Sequence, residues 1–500
     1  MLAEWVIAAK ATPMRRLLPV LLTLALALGP AACRNQPEGA VSVTVIGDQP
    51  KITDPSRGPI SAPDAVLLEN VAQGLVRFDA AGNIVGGLAE RWNVSDDGLS
   101  YIFRIASTKW PDGRKVTAQQ VAKILTREIG PGSRNELRDT LGAVDAIVAM
   151  TDRVIEVRLA APRPNLLALF AQPYLAILQK NQGTGPFAAV PDLANPGQIR
   201  LTRDILSSDD EASTKEEVLL SGARAEQAVE SFANGKTELV LGGTFADLPL
   251  AQRAKLPRGS LQFDPAAGIF GLVPLHADNK LDDPDVRGML SQAIDRDAIV
   301  AALGVPGLVP RATLLEPGLD QLPPPIPPAW LGTPLANRIA ALRAEADRKF
   351  GATEKPTIRV ALPDGPGADL LVAALARSWA PLGFNVERAA QASADFALVD
   401  QVAPSASAAW YVRHFRCGVA AICDPDTDKL MDAARETPIP QQRYALLQQA
   451  GARIDDLQLF LPISAPVRWS LVGRRVTGFA GNRFAVHTLT DLQQRPGTGG

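Results

Sequence analysis

Two stretches of this chain, more than a hundred residues apart, repeat one strand–helix–strand pattern, and that repetition narrows the architectures open to it. In the first, Val218-Leu-Leu220 is a short apolar run, and Arg224 to Phe232 carries Ala225, Ala228, Val229 and Phe232 at helical spacing. Asn234-Gly235 ends that helix, and Glu238 to Leu241 reads as the next strand. In the second, Thr357 to Leu362 is a strand and Ala368 to Ala380 a helix bearing Leu371, Ala374, Leu375 and Trp379. Gly383 closes it, and Phe384 to Glu387 and Phe396 to Val399 follow as strands. A βαβ unit buries its helix against a parallel sheet, so two such units specify two α/β lobes. The length agrees, since 500 residues exceed what a single core serves.

The alternating run Val41 to Ile46 adds an early strand. Between the two units, Asp285 reads as the cap of a helix with Val286, Met289, Leu290, Ala293 and Ile294. Asp295 or Asp297 starts the next helix, which carries Ile299, Ala302 and Leu303 and stops at Gly304. The proline-rich run Leu322 to Pro328 reads as a surface loop. Gln441 to Leu457 is the last helix, with Tyr444, Leu447, Ala450 and Ile454 on one face, and residues 493–500 read as a disordered tail. Tandem repeats are absent, which excludes solenoids and propellers.

The N-terminus has the layout of an export signal. Met14-Arg15-Arg16 is basic, Leu17 to Leu28 is almost continuously apolar, and Gly29-Pro30-Ala31-Ala32 leads to Cys33. The apolar run is shorter than the ~20 residues a spanning helix needs. Residues 1–33 are expected to be a signal peptide, with Met14 as an alternative start, and residues 34–40 a tether. Cys33 directly after Ala-Ala resembles the lipobox of bacterial lipoproteins, in which that cysteine is lipidated. Pro30 departs from the pattern, which prefers Leu there. The other two cysteines, Cys417 and Cys423, are expected to form a disulfide in an oxidising compartment, with two free thiols as the alternative. Neither a Cys-x-x-Cys nor a nearby His pair completes a metal site.

A formal net charge of -2 gives no support to nucleic-acid binding or to adsorption on an anionic membrane. Gly-x-Ser-x-Gly, His-Glu-x-x-His and a phosphate loop are all missing, and Leu370 replaces the third glycine of a dinucleotide fingerprint after Gly365 and Gly367. With three widely separated histidines, no catalytic constellation is expected.

The most specific segment runs from Leu67 to Glu128. Ala81-Gly82-Asn83, Ser95-Asp96-Asp97-Gly98 and Pro111-Asp112-Gly113 are turns, and Tyr101 to Ile105 alternates as a half-buried strand. Thr117 and Gln120 form a capping box for a helix with core residues Val121, Ile124 and Leu125. Gly74-Leu75-Val76, Leu88-Ala89-Glu90-Arg91-Trp92, Asp97-Gly98, Trp110, Asp112-Gly113 and Thr117-Ala118 stand in the order and spacing of the peptide/nickel family of ABC-transporter solute-binding proteins, extracellular solute-binding family 5, and the chain resembles that family. Gly183-Thr-Gly-Pro-Phe187, Asp285-Val-Arg287, Ala293 to Ile299, Pro462-Ile463 and Gly478-Phe479 extend the resemblance over residues 41 to 492.

The resemblance implies an α/β bilobal Venus-flytrap of type 2, in the large peptide-binding subclass with an extra inserted domain. It assigns residues 41–60, 182–272 and 463–492 to the first lobe, 61–181 to the inserted domain and 273–462 to the second lobe. It implies a monomeric, periplasmic, non-enzymatic protein that takes up a peptide-like small solute, needs no cofactor, and works with ABC permease and ATPase subunits. Most of the motif residues have a structural reading: the glycines and aspartates fix turns, and Trp92 and Trp110 fill core.

The family's amine-binding carboxylate is not carried over, because Asp400 comes too early in Ala394 to Pro404 and the Asp-Pro pair is missing. The ligand-binding candidates are therefore the aromatic and cationic groups just downstream, Trp410, Tyr411, Arg413, His414 and Arg416, with core packing as the alternative for the two aromatics. Asp48, Gln49 and Thr184 follow segments expected to border the cleft. His276 reads as a satisfied core group rather than a metal ligand. The competing functions are a sensory receptor on the same fold and an exported hydrolase.

Overall fold

The computed structural model describes residues 39–193, 195–206, 213–276, 280–353, 355–490 and 492–494. The signal region, Cys33, most of the tether and residues 495–500 lie outside the described residues. The fold below is that of the body beginning at Val41.

Two mixed sheets dominate it. The first has seven strands in the order Leu261–Phe263, Arg468–Val472, Leu239–Thr244, Val41–Ile46, Ser213–Ala223, Gln198–Leu206, Ala188–Pro191. Val41–Ile46 lies at its centre, parallel to both neighbours, with Val43 opposite Leu220 on one side and Leu239 on the other. The crossover helix Ala225–Ala233 buries Ala225, Ala228, Val229 and Phe232, and Gly235 takes a left-handed φ of 67° just past its end. The sheet closes tightly at its C-terminal strand. A Cβ on Gly243 would sit 2.2 Å from the ring of Trp469, whose indole nitrogen donates to the Thr244 carbonyl at 2.8 Å.

The second sheet has five strands, Val386–Arg388, Ile358–Ala361, Phe396–Val402, Gly268–Pro274 and Leu461–Ser464. Its parallel part is the second βαβ unit, covered by the helix Pro366–Trp379. The family motif arginines tie this lobe together. Arg287, 2% exposed, donates to the Gln458 carbonyl at 2.9 Å and to those of Leu457 and Leu281. Arg296 is also buried and donates to the carbonyls of Pro462 and Ser291. Each satisfies several carbonyls at once, which is why a buried guanidinium is tolerated here.

The inserted domain is a four-stranded antiparallel sheet, Ala89–Val94, Ser100–Ile105, Val154–Leu159 and Val144–Thr151, with the helix Ala118–Ile129 against it. The capping box forms as the sequence predicts. Thr117 Oγ accepts from Gln120 N, and the Gln120 side chain accepts from Thr117 N at 3.1 Å and from the Trp110 indole at 3.0 Å. Trp110 is 2% exposed and belongs to the domain's core, while Trp92 is half-buried against it.

Several sequence expectations need correction. The strand Gly268–Pro274 pairs along its length with Phe396–Val402, and Leu461–Ser464 pairs in the same sheet. The chain therefore crosses into the second lobe at 264–267 rather than after 272, and returns at 465–467. The helix Ala62–Val71 packs Leu67, Leu68 and Val71 with Val43 and Leu220 of the first lobe, so it belongs to that lobe's core, and it also meets the short turn Pro173–Leu175. Asp283, not Asp285, caps the helix Pro284–Ala293, because its carboxylate accepts from Asp285 N at 2.9 Å. His276 is exposed, since its strand ends at Pro274. Gln493–Gln494, assigned to the tail, pairs with Val476–Thr477.

Candidate ligand-binding site

A cavity of about 980 Å³ lies between the inserted domain and the second lobe. One wall is the segment 129–144 that follows the helix Ala118–Ile129, together with residues 163–166 and Leu169, at and around the start of the helix Leu166–Phe170. The other is Asp320, residues on 405–419, and faces of the helices Pro425–Glu436 and Pro440–Asp456. The volume is at the upper end of what encloses a drug-sized ligand.

The two walls are hydrogen-bonded to each other. Gln172 Nε2 donates to the Pro404 carbonyl at 2.9 Å, Asn165 Nδ2 to the Asp320 carboxylate at 2.9 Å, and Arg163 to the Arg435 carbonyl at 3.2 Å. Arg413 reaches back to the Glu136 carbonyl at 3.4 Å.

Of the sequence candidates, Arg413, His414 and Arg416 line this cavity. His414 Nδ1 is 2.8 Å from the Trp410 carbonyl, which can only accept, so Nδ1 carries the proton. Nε2 lies 3.0 Å from the Gln401 side-chain amide. Burial, reinforced by the charge of Arg413, pulls the imidazole pKa down to about 4, so the ring is neutral at physiological pH. Burial likewise lowers the pKa of Arg413. Arg416 is bound to Asp432 at 2.8 Å. Cys417 and Cys423 are joined in a disulfide with Cα atoms 5.2 Å apart, and the Cys417 amide donates to Asp428.

Trp410 and Tyr411 do not line the cavity. The short helix Ala408–Val412 turns both inward, where they are 3% and 0% exposed among Leu447, Ile454, Met431 and Phe460. Their rings meet edge to face at 5.0 Å, and the Tyr411 hydroxyl donates to the carboxylate of Glu316, itself paired with Arg311. These are packing roles, and the ligand-contact expectation for the pair is corrected accordingly. Asp48, Gln49 and Thr184 also lie away from the cavity. The Gln49 amide clamps both main-chain groups of Gly222, at 2.8 and 3.1 Å, and Asp48 is exposed. Thr184 sits in a glycine-flanked turn pressed on the first-lobe helix end; a Cβ on Gly183 would lie 2.4 Å from Ala72 Cα.

Sequence reasoning missed two buried charged residues of the cavity, Asp320 and Arg443. Asp320 has a left-handed φ of 47°, and its carboxylate accepts from Ala408 N at 2.8 Å and from the Ser407 hydroxyl at 3.0 Å. Burial raises its pKa, while Arg443 and those hydrogen bonds oppose the rise. Arg443, 5% exposed, lies 3.8 Å from Asp320. The signal for Arg443 was present, because it stands in phase with Leu447, Ala450 and Ile454, a cation on an otherwise apolar stripe. Among the described residues no group of three or more His, Cys, Asp or Glu is placed to hold a metal.

A bilobal α/β body with a cavity walled by an inserted domain defines a solute-binding protein. The profile of the bacterial extracellular solute-binding proteins, family 5, matches residues 83–414, and the chain belongs to that family of binding proteins. It is similar to a probable di/tripeptide-binding protein of Pseudomonas aeruginosa, 23% identical over 477 residues, covering 82% of this chain and 87% of the relative. In fold it is similar to OppA of Haemophilus influenzae, solved in complex with RPPGFSPFR. The TM-score is 0.77 at 18% identity, covering 91% of this chain and 99% of the other. The murein tripeptide binding protein MppA of Escherichia coli matches with a TM-score of 0.76 at 17% identity, covering 91% and 98%. No helix among the described residues is long and apolar enough to cross a membrane.

Proposed function

We propose that this protein captures a peptide or peptide-like solute in the cavity between the inserted domain and the second lobe, and delivers it unaltered to the permease and ATPase subunits of an ABC importer. The observation that carries the reading is the cavity itself, about 980 Å³ of space whose two walls are already hydrogen-bonded to one another. Walls that meet around a ligand shield it from water, and closure makes release dependent on a separate opening event. The relatives' recorded ligands, di- and tripeptides and oligopeptides, support the peptide class. The same reading puts the protein in the periplasm, as a monomer, exported by residues 1–33 and held at the membrane through a lipid on Cys33. Residues near 41–72, 178–264 and 468–494 form its first lobe, 74–177 the inserted domain and 268–464 the second lobe.

Native mass spectrometry of protein purified from its own periplasm tests the central claim. An added mass in the peptide range, recovered unchanged after denaturation, is the expected result. A chemically converted ligand would overturn the transport reading, and a sugar or a heme would overturn the peptide class. Anchoring is tested separately: wild type should sediment with membranes, Cys33→Ser should not, and a fully soluble, unlipidated wild type removes the anchor from the reading.

A further inference from the structure

Gly365 and Gly367, the pair that lacks the third glycine of a dinucleotide fingerprint, sit where the two lobes touch. They open the helix Pro366–Trp379 of the second lobe and press it on Phe245 and Ala246 of the first. Gly367 N donates to the Ala246 carbonyl at 2.8 Å, and a Cβ on Gly367 would lie 1.9 Å from the Phe245 carbonyl oxygen. Gly365 has a φ of 133°, and a Cβ there would lie 2.6 Å from the Ala246 oxygen. Around this contact Phe245 meets Phe270 edge to face at 4.9 Å, and Gln252 Nε2 donates to the Leu303 carbonyl at 2.7 Å. Leu248 and Ala251 of one lobe and Ala368 and Leu371 of the other are buried in the same core.

This contact and the cavity lie on opposite faces of the second sheet. Along the strand Gly268–Pro274, Phe270 and Leu272 point into the core shared with the first lobe, while Ile269 points into the core that holds Leu447 and Met431 of the cavity wall. The chain crosses between the lobes at 264–267 and 465–467, at strand ends, so the crossings run between those two faces. They are pinned to each other at either end. Asp264 N donates to the Arg468 carbonyl at 3.0 Å on the first-lobe side, and Arg311 donates to the carbonyls of Ile463 and Gly268, at 2.9 and 3.2 Å, on the second. Rotation is thereby confined to the few residues between the pins. The inserted domain stays with the first lobe, through Phe78 stacked on Phe484 at 4.4 Å and Arg134 N bonded to the Ser56 carbonyl at 2.8 Å. A rotation that draws the second lobe onto the inserted domain in front must part it from the first lobe behind.

We propose that the glycine contact is a counterweight to closure: it holds the lobes together behind the crossings, and loosening it favours the closed cavity. Glycine suits the position because only a main chain without Cβ comes close enough to bond Ala246. The proposal concerns movement alone and is independent of the solute's chemistry.

A wedge behind the pivot tests it. Gly367→Ala sets a methyl against the Phe245 carbonyl, yet suits the second lobe itself, because Gly367 lies within a helix outside the left-handed region and alanine favours helix. Lys123 and Lys429, on the helices Ala118–Ile129 and Pro425–Glu436, stand on the two bodies that close on the cavity. With Lys123→p-azidophenylalanine and Lys429→p-azidophenylalanine as dye sites, single-molecule energy transfer on protein dialysed free of solute reads the closing distance. Gly367→Ala should shift the distribution to shorter distances than wild type. Gln252→Ala, which removes a bond behind the pivot without adding bulk, should shift it the same way by less. An unchanged or longer distance in Gly367→Ala overturns the proposal, and if that variant does not fold, the same result in Gln252→Ala overturns it. With no solute present, neither result bears on the peptide reading.

Discussion

The side-chain amide of Gln172 donates to the main-chain carbonyl of Pro404 at 2.9 Å, across 232 residues of sequence and with both groups buried. One residue belongs to the inserted domain, the other follows the strand Phe396–Val402 at the start of the cavity's second wall. The bond exists only when the walls are together, and an open form would return both groups to water.

Gln172→Ala should therefore bias the protein towards the open form. Leaving a buried carbonyl without its donor costs about 1–3 kcal/mol. The affinity for the co-purified ligand should fall by roughly tenfold or more on the scale of 1.4 kcal/mol per decade. Small-angle scattering of the ligand-free variant should report a larger radius of gyration. An unchanged affinity and radius would mean that this contact does not hold the walls together.

Trp410→Ala should destabilise the unliganded protein by about 3–5 kcal/mol, the loss expected for truncating a buried aromatic. Trp410 is 3% exposed and packs edge to face on both Tyr411 and His414. Urea unfolding reads this directly. A variant as stable as wild type but weak in ligand binding would return Trp410 to the ligand site.

Stability should fall as pH rises from about 4.5 to 8. Burial raises the pKa of Glu69 to about 8 from its ordinary 4.5, only partly opposed by Arg77, and one of its oxygens has no hydrogen-bond partner. The folded state therefore favours its neutral form. The stability this gives is complete below pH 4.5 and is lost as pH rises through about 8, on the order of a few kcal/mol. Asp455, raised to about 8 by burial, acts in the same sense. His414 acts oppositely: its pKa is depressed from 6.5 to about 4, so its contribution is present above 6.5 and lost as pH falls towards 4. Denaturant unfolding from pH 4 to 9 should show stability declining with pH, less steeply below 6.5 where His414 offsets part of the loss, and Glu69→Gln should flatten the decline. A Glu69→Gln profile that tracks wild type would contradict the assignment.

Reducing the Cys417–Cys423 bridge should cost ~2 kcal/mol, the low end for a short closed loop. Because Cys417 lines the cavity and its amide is held by Asp428, ligand affinity should fall together with stability. Intact-mass measurement with and without reductant, alongside unfolding curves, checks both. Free alkylation of the two thiols without reductant would dispose of the bridge.

What the sequence could reveal depended on whether the signal was local. The βαβ units, the Thr117–Gln120 capping box and the Gly304 stop all rest on contacts within one or two turns, and each is present in the structure. The lobe crossings were misplaced by several residues because strand pairing, not composition, decides which sheet Gly268–Pro274 joins. The binding candidates divided on orientation. Arg413, His414 and Arg416 face the cavity while Trp410 and Tyr411 face the core, a difference made by one short helix and invisible to residue type. Asp320 and Arg163 carry no local pattern, since their meaning comes only from the partners brought to them across the cavity.

The return of the chain to the first sheet has a consequence for biogenesis. Arg468–Val472 lies between Leu239–Thr244 and Leu261–Phe263, pairing Val472 with Leu239 and Leu471 with Leu261. Until that strand emerges, Leu261–Phe263 has no neighbour, Gly243 faces no indole and the edge of the central ladder stays open. Pairings of such long sequence separation form late and slowly. A nascent chain lacking its last few dozen residues therefore cannot complete either the first lobe or the crossing back from the second. On the proposed export route, it should stay loose enough to be threaded through a secretion channel, and fold only once nearly all of it has reached the far side.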